Sequence, residues 1–365
     1  MHSHVAGVKV YLWVAALTVL SAVPGITQEK PLAEGEGAVT SFSGVQVTLD
    51  GQALVTELDA SGFVVHVLDL RQPGQVPLGQ HWLAEPQRPL VTAADIGQVR
   101  GVALSDGEVP DIFLGATSSF GVYRDLDGTG WATGQWGPEG GPATIWRLEA
   151  EADYAAEIFA ELGSAERANT GAALGDLEFD RVHRVLFVSD LETGLIHALD
   201  ADTGAQVDVF DHGVEARSGF LDAETDAPLN LPPVELSAPD VAAACAESSG
   251  RLPMECLGYA VPERRVWGLA LRQDADSGLV RLYYGVGSGE KASVWSIPIA
   301  TEGTLDRTGI RREFELVQGA DAAPVFAVSD LSISGDVLVV SRDRGRTGNA
   351  RPGTSWPDFA AQEPQ

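Results

Sequence analysis

The sequence predicts an all-β fold, and within that class a β-propeller with four-stranded antiparallel blades. The chain carries 41 Gly and 20 Pro, and these residues cluster between short apolar runs, as turn residues do in proteins built from many short strands. Residues 174–204 contain three such runs, separated by Asp, Gly and Thr. The same pattern recurs along the chain, which indicates repeated units rather than one local meander.

Each repeated unit consists of two predicted strands. The first alternates apolar and polar residues, turns at Asp or Gly, and leads into a nearly continuous apolar run. An alternating strand has one face toward water, whereas a continuous apolar strand is buried on both faces. We therefore expect the alternating strand of each unit to line a wet channel. The units span residues 99–116, 174–190, 266–286 and 328–342.

Further predicted strands extend the units to four strands each, which is the number in a propeller blade. Residues 45–70 supply strands of another blade. The fourth unit shows only two strands before the chain ends, so either N-terminal strands complete that blade or the chain lacks a final one. We expect five or six blades. The added segments are residues 143–150, 156–162, 194–200, 206–212, 293–299 and 312–317.

Two long loop insertions explain why the units lie farther apart than the about 40–50 residues of a typical blade. They cover residues 117–141 and 211–262. The first insertion is rich in Gly and aromatic residues. These aromatic side chains are either exposed on the loop face, where they bind a partner, or buried beneath their own insertion, which then forms a lid over the blades. Those aromatic residues are Phe120, Tyr123, Trp131 and Trp136.

The charge balance restricts the classes of partner. The chain has 24 Lys and Arg against 52 Asp and Glu, so its formal net charge is −28. Such a protein is repelled by phosphate backbones and by anionic bilayers, and we expect no nucleic-acid partner. The acidity indicates either the solubility of a secreted domain or an affinity for cations.

The N-terminus predicts export. Residues 10–23 form an apolar stretch after a short segment with one Lys and no acid, which is the layout of a secretory signal peptide. The stretch is shorter than the about 20 residues of a transmembrane helix, so we expect cleavage and a mature chain without a membrane span; an uncleaved anchor is the alternative. We also expect the protein to be secreted or periplasmic and monomeric. The predicted domains are a signal peptide over 1–27, a linker over 28–44, the propeller over 45–346 and a flexible tail over 347–365.

The two cysteines agree with an oxidising compartment. Cys245 and Cys256 lie in the second insertion, close together in sequence. We predict that they form a disulfide that closes this loop, with their Cα atoms about 5–6 Å apart. A zinc site is the alternative, but neither His nor further Cys stands nearby to complete four ligands.

The segment "GDLEFDRVHRVLFVSDLETGLIHALDADTG" resembles the repeats of the NHL and gluconolactonase-like six-bladed propellers. "IFLGATSSFGV" and "GQWGPEGGPATIWRL" are similar to segments of uncharacterised exported bacterial propellers. The resemblance covers about residues 45–346 and implies a six-bladed fold. It implies no single function, because this scaffold hosts lactonases, binding modules and scaffolds. The lactonase metal ligands have no counterparts here, since no Glu stands early in the first unit and Asn is scarce.

The repeat predicts a polar cluster in the channel. If the four units are equivalent, Gly101, Asp176, Gly268 and Asp330 occupy one position at the entry of each innermost strand. Their neighbours add a cation, a third carboxylate and an aromatic wall, namely Arg100, Glu178 and Trp267. Such a pocket suits a polar ligand or a metal ion. We predict that Asp176 and Asp330 bind a divalent cation such as Ca²⁺ weakly; the alternative is that each Asp caps a turn by bonding backbone amides.

Two functions remain open. The first is a binding module that takes a small molecule or a protein through its loop face and channel. The second is a metal-dependent hydrolase of lactone type, with a cation at the channel mouth that polarises a carbonyl. Catalytic residues are not evident: there is no Gly-x-Ser-x-Gly elbow, and His183, His197 and His212 fall at positions that should not converge.

Overall fold

The computed structural model describes residues 32–50, 53–71, 87–163, 169–236, 250–253, 256–287, 292–316, 327–343 and 358–362. The predicted signal peptide over 1–27 and Cys245 lie outside these ranges. Among the described residues, no helix is both long and apolar enough to span a bilayer.

The first sheet has the order β1-β4-β5 and is antiparallel. Its strands are β1 (Glu36–Thr40), β4 (Phe63–Asp69) and β5 (Gln87–Thr92), while β2 (Val45–Asp50) and β3 (Ala53–Leu58) form a separate hairpin. One helical turn, α1 (Ala93–Ile96), follows β5 and is closed by a capping box between Thr92 and Asp95. Strand β1 lies inside segment 28–44, which the sequence analysis interprets as a linker. The short run "EGAVT" has too few apolar residues to predict a strand.

The second sheet contains the first repeated unit. Its order is β10-β9-β7-β6, and all pairs are antiparallel. The strands are β6 (Val99–Leu104), β7 (Ile112–Ala116), β9 (Thr144–Glu149) and β10 (Ala155–Glu161), with a 3₁₀ turn at Ala150–Ala152. A short strand of the first insertion, β8 (Tyr123–Arg124), lies between β7 and β9 in the chain but does not join this sheet.

The third sheet is a meander in chain order, as predicted. It consists of β11 (Leu174–Asp180), β12 (Val185–Asp190), β13 (Leu195–Asp200) and β14 (Gln206–Asp211), each paired antiparallel with the next. All six residues of β12 are buried, whereas β11 is a mixture of buried and half-buried residues. The greater burial of β12 is what the sequence pattern predicts.

The fourth sheet has six strands because the second insertion adds a hairpin to it. The hairpin is β15 (Ser218–Asp222) and β16 (Ala227–Asn230), and β17 (Gly250–Arg251) follows and pairs with β8. Strand β15 runs parallel to the outermost strand of the repeated unit. The unit itself is β18 (Val266–Gln273), β19 (Val280–Val286), β20 (Ala292–Pro298) and β21 (Arg311–Leu316), with a 3₁₀ turn at Arg307–Gly309.

The fifth sheet has the order β22-β23-β24. Strands β22 (Ala327–Ser334) and β23 (Val337–Asp343) are the predicted pair of the fourth unit, and β24 (Asp358–Gln362) pairs antiparallel with β23. Strand β24 lies within the segment 347–365 that the sequence interpretation treated as a flexible tail. The segment "DFAAQ" has no run of alternating apolar residues, so the sequence pattern does not predict this strand.

The sheets pack face to face, and their first strands lie side by side. Strands β1, β6, β11, β18 and β22 each contact the next one in this order. Between successive sheets lies a separate apolar core; for example, Phe113 and Ile145 of the second sheet pack with Leu177 and Leu186 of the third. Radial sheets with their first strands innermost are the architecture of a β-propeller, so the predicted fold class is confirmed. The number of blades stays a prediction.

Candidate functional site

A β-bulge recurs at the same place in four innermost strands. In β6, β11, β18 and β22, three residues oppose two residues of the neighbouring strand. The bulges follow Val99, Leu174, Val266 and Val328, all of which are buried. A bulge re-aims the side chains beside it. These registers align the four positions that the sequence interpretation treated as equivalent, namely Gly101, Asp176, Gly268 and Asp330.

The two glycines make room for the two aspartates. A Cβ atom on Gly268 would lie 2.7 Å from the Cα of Asp330, and one on Gly101 would lie 3.2 Å from the Cα of Asp176. Either side chain would collide with the backbone of the next innermost strand. Glycine at these positions therefore allows the innermost strands to approach closely.

Asp176 is held by backbone groups of two strands. Its Oδ1 accepts a hydrogen bond from the N–H of Leu177, and its Oδ2 accepts one from the N–H of Leu269 in β18, each 2.9 Å long. Its own N–H donates to Oγ of Ser189, which in turn donates to the carbonyl of Trp267 at 2.6 Å. The amide bonding expected for a capping Asp is thus present, and it orients the carboxyl group. Sequence reasoning missed Ser189, because a Ser inside a buried strand carries no local signal.

Three carboxyl groups interact at this place. Burial, and then the charge of Asp330, raises the pKa of Asp176 to about 8. Burial also raises the pKa of Asp330, and the charge of Arg100 opposes that rise. A carboxyl group whose pKa lies at about 8 is mostly protonated at neutral pH, so Asp176 keeps its proton there.

Glu178 joins the same group from β11. Burial, with the charges of Asp176 and Asp330, raises its pKa well above the usual range. Glu178 is half-buried and has no hydrogen-bond partner among the described residues. Asp330 is exposed to solvent although protein surrounds it on most sides, as is expected of a side chain that lines an opening.

Arg100 and Trp267 complete the group, which we call the inner-strand cluster. The guanidinium carbon of Arg100 lies 5.3 Å from the centre of the Trp267 ring, in cation–π distance. The charge of Arg100 opposes the rise in the pKa of both aspartates. The indole Nε1 of Trp267 is buried and has no partner among the described residues. The structure thus brings all five predicted residues into one interacting group: Arg100, Asp176, Glu178, Trp267 and Asp330.

The clustering of these residues does not by itself test the predicted binding of a divalent cation. Within the described part of the chain, no three or more His, Cys, Asp or Glu side chains are placed so as to hold a metal ion. Binding of Ca²⁺ or another divalent cation by Asp176 and Asp330 stays a prediction.

The aromatic residues of the first insertion are mostly packed inside it. Trp136 and Tyr123 are buried, and Trp131 packs edge-on against Trp136 with 5.4 Å between ring centres. Both insertions meet here, since β8 pairs with β17 and Cys256 lies in the same apolar cluster. The lid interpretation therefore fits these residues better than a row of exposed anchors. The Cys245–Cys256 disulfide stays a prediction, because Cys245 lies outside the described residues.

The three histidines have separate partners, as expected. His183 Nδ1 lies 2.6 Å from Asp180 Oδ2, and His197 Nδ1 lies 3.0 Å from Gln206 Oε1. His212 is fully buried beside Tyr284.

Comparisons with known proteins give distant structural likeness and nothing closer. No protein-family model matches the chain, and no curated protein matches it. Among solved structures, a protein of unknown function from Bacteroides thetaiotaomicron is similar with a TM-score of 0.41 and 12% identity over 81% of this chain and 55% of that one. A chain of a nidogen/laminin complex has a TM-score of 0.36 and 13% identity over 84% of this chain and 86% of that one.

A third solved structure, described as the Dos1 propeller, has a TM-score of 0.36 and 10% identity, over 74% of this chain and 48% of that one. This chain therefore spans about half the length of the first and third of these structures. The fold assignment rests on the sheet packing described above, and membership of the NHL or gluconolactonase-like group stays a prediction.

Proposed function

We propose that this chain is an exported binding module, and that a small polar ligand with positive charge or several hydrogen-bond donors binds at the inner-strand cluster. The observation that carries the proposal is the meeting of three carboxyl groups from two innermost strands, Asp176, Glu178 and Asp330, beside the Trp267 ring. Such a group offers many acceptor oxygens and little positive charge of its own.

Preorganisation supports this proposal. The two backbone N–H groups that bond Asp176 fix its carboxyl group before any ligand arrives. Glu178 and Asp330 are the carboxyl groups left to face a ligand, since Asp176 is occupied by the backbone. A bound cation would favour the ionised form of these carboxyl groups, because its charge offsets their burial and their mutual repulsion.

Titration calorimetry tests the proposal with two probes, calcium chloride and 1,4-diaminobutane. We expect the wild-type chain to bind at least one of them. Asp330→Asn and Glu178→Gln should each weaken that binding by about tenfold, because each removes a carboxyl group that can ionise when a positive charge binds beside it. Asp336→Asn is the matched control, since its side chain is 90% exposed and lies on a turn. Absence of binding for both probes, or equal affinities in all four proteins, would contradict the proposal.

The metal-dependent hydrolase of lactone type remains the alternative. It is supported by a carboxylic acid that keeps its proton near neutral pH, since such a group can donate a proton to a leaving oxygen. Lactone hydrolysis by the purified chain, measured with calcium and with a chelator, separates the two functions. Hydrolysis that is lost in the chelator and in Asp176→Asn would favour the enzyme.

A further inference from the structure

A second group of polar side chains lies in the core between the third and fourth sheets. It consists of His212, Arg217, Arg264 and Tyr284, and we call it the arginine pocket. His212 follows β14, Arg217 precedes β15, and Arg264 precedes β18, so the second insertion brings the imidazole and the two guanidinium groups together. Nothing in the inner-strand cluster uses these residues.

His212 has one ring nitrogen without a partner. The residue is 0% exposed, and its ring packs edge-on against Trp295, with 4.7 Å between ring centres. Its Nδ1 lies 3.3 Å from the Tyr284 hydroxyl, whereas Nε2 is buried and has no hydrogen-bond partner among the described residues. Burial, with the charges of Arg217 and Arg264, holds the pKa of His212 well below its usual range, so the ring is neutral. An unpaired ring nitrogen in an apolar core is costly unless another molecule bonds it.

Arg264 is a structural arginine. It is 1% exposed, and its Nε and Nη1 donate to the carbonyls of Thr193 and Val234 at 3.0 and 2.6 Å. Its Nη2 lies 2.7 Å from Asp211 Oδ2, so its charge is balanced by that carboxylate. Arg264 thereby fastens the second insertion to the third sheet.

Arg217 has no carboxylate partner among the described residues. It is 7% exposed, and its Nε donates to the carbonyl of Pro232 at 3.2 Å. No described carboxylate lies within 4.0 Å of its guanidinium. Glu263, whose charge has the largest effect of any acid on the pKa of Arg217, is itself exposed to solvent. Burial, with the charge of Arg264, lowers the pKa of Arg217 and opposes the effect of Glu263. A charge that is largely removed from water and has no partner destabilises the folded state, and an anion that pairs with it is stabilising.

Two features therefore point to an absent acceptor. The Arg217 guanidinium has no carboxylate within 4.0 Å among the described residues, and His212 Nε2 is an N–H donor without an acceptor when Nδ1 accepts from the Tyr284 hydroxyl. The charges of Arg217 and Arg264 both act on His212, so these groups lie in one neighbourhood. The fork of an arginine matches the two oxygens of a carboxylate, phosphate or sulfate group. Because Arg217 is not completely enclosed, solvent reaches this side of the pocket.

We propose that the arginine pocket binds a small oxyanion, which pairs with Arg217 and lies beside His212. The oxyanion is either a free inorganic ion or the carboxylate or phosphate group of a larger ligand. The site is separate from the inner-strand cluster, and its sign of charge is opposite. A protein with a net charge of −28 thus keeps one cationic site beneath its second insertion.

Calorimetric titration of the full chain with sodium phosphate, sodium sulfate and sodium acetate, at fixed ionic strength, tests the proposal. We expect saturable binding of at least one anion below about 10 mM. Preference for acetate would identify a carboxylate ligand, and preference for phosphate or sulfate would identify a tetrahedral oxyanion. Arg217→Gln should weaken the binding by about tenfold or more, because it removes the charge and the fork. The anion should also raise the melting temperature of the wild-type chain but not of this variant.

Arg184→Gln is the matched control, since Arg184 is a surface arginine whose side chain is 47% exposed, and we expect it to bind the anion as the wild type does. If Arg217→Gln fails to fold, Arg217→Lys keeps the charge and removes the fork, and it should bind the anion more weakly than the wild type. Three results would each overturn the proposal: no saturable binding of any of the three anions to the wild-type chain, unchanged affinity in the folded Arg217 variant, or equal loss in Arg184→Gln.

Discussion

The carboxyl group of Asp176 in one innermost strand accepts a hydrogen bond from the backbone N–H of Leu269 in the next, at 2.9 Å. The side-chain hydroxyl of Ser189 links the same two sheets by donating to the carbonyl of Trp267 at 2.6 Å. Adjacent sheets of this fold are joined mainly by apolar packing, so these two polar links fix their relative register. The residues that form the inner-strand cluster therefore also hold the innermost strands together.

Gly268→Ala should destabilise the protein by about 2–3 kcal/mol, because the new methyl group would lie 2.7 Å from the Cα of Asp330. Backbone cannot move aside as a flexible side chain can. Gly141→Ala is the control, since a Cβ atom there has no heavy atom within 4 Å. Urea unfolding monitored by circular dichroism measures both variants. A Gly268→Ala variant as stable as Gly141→Ala would show that the innermost strands are farther apart than described.

Phe220→Ala should cost about 3–5 kcal/mol of unfolding free energy. Phe220 in β15 is buried, and its ring lies 4.6 Å from that of Trp295 in β20, centre to centre. The hairpin of the second insertion is therefore part of the core between sheets, and truncating its aromatic anchor leaves a cavity. Val182→Ala, at an exposed position, should change the stability by less than about 0.5 kcal/mol in the same unfolding experiment. Similar values for the two variants would mean that the hairpin is not packed.

The repeated pairs of strands could be predicted from the sequence because their burial follows directly from residue type. Strand β12 is "VLFVSD", whose four apolar residues are followed by Ser and Asp; all six are buried, and the strand lies where the pattern predicts. The parallel pairing of β15 with β21 could not be predicted in this way. It joins Leu221 to Arg311 across a long stretch of chain, and no local pattern encodes which distant strand a hairpin joins.

The residues of the inner-strand cluster could be predicted from the sequence only where the repeated units could be aligned with one another. Asp176 and Asp330 were selected because they occupy one repeat position, and the bulge registers agree with that alignment. The bulges themselves leave no mark in the sequence, since three residues facing two differ from a regular strand only in pairing. The arginine pocket was not anticipated either, because His212, Arg217 and Arg264 come together only when the second insertion folds back.

The predicted disulfide should be found by peptide mapping of the oxidised chain. We expect a cross-linked peptide that contains Cys245 and Cys256, which separates into two on reduction. Cys256 is buried in an apolar cluster, and a short loop closed at that point would stabilise the second insertion by about 2–3 kcal/mol. Free thiols at both positions in unreduced, denatured protein would disprove the bridge, and the stability of Cys256→Ser against Cys245→Ser shows whether both belong to one bond.

Asp176→Asn should remove a pH dependence of stability that the wild-type chain has. Burial, and then Asp330, raises the pKa of Asp176 from an ordinary value of 3.8 to about 8 in the folded protein. Between these two values the folded state binds a proton that the unfolded state has released, so this group's contribution to stability falls as the pH rises. Below the lower value both states are protonated, and the contribution is fully present.

Relative to Asp176→Asn, the wild type should lose about 2 kcal/mol of unfolding free energy between pH 5 and pH 9. This value is smaller than the full pKa difference would give, because the side chain is partly exposed to solvent. Asparagine cannot ionise, and its one oxygen can accept from only one of the two N–H groups that bond Asp176. The lost hydrogen bond lowers the stability of the variant equally at every pH, so the difference in slope with pH reports the ionisation. Urea unfolding across this pH range measures the difference. Asp336→Asn, a change at an exposed turn, should follow the wild-type curve. Parallel curves for the wild type and Asp176→Asn would mean that Asp176 does not keep its proton near neutral pH.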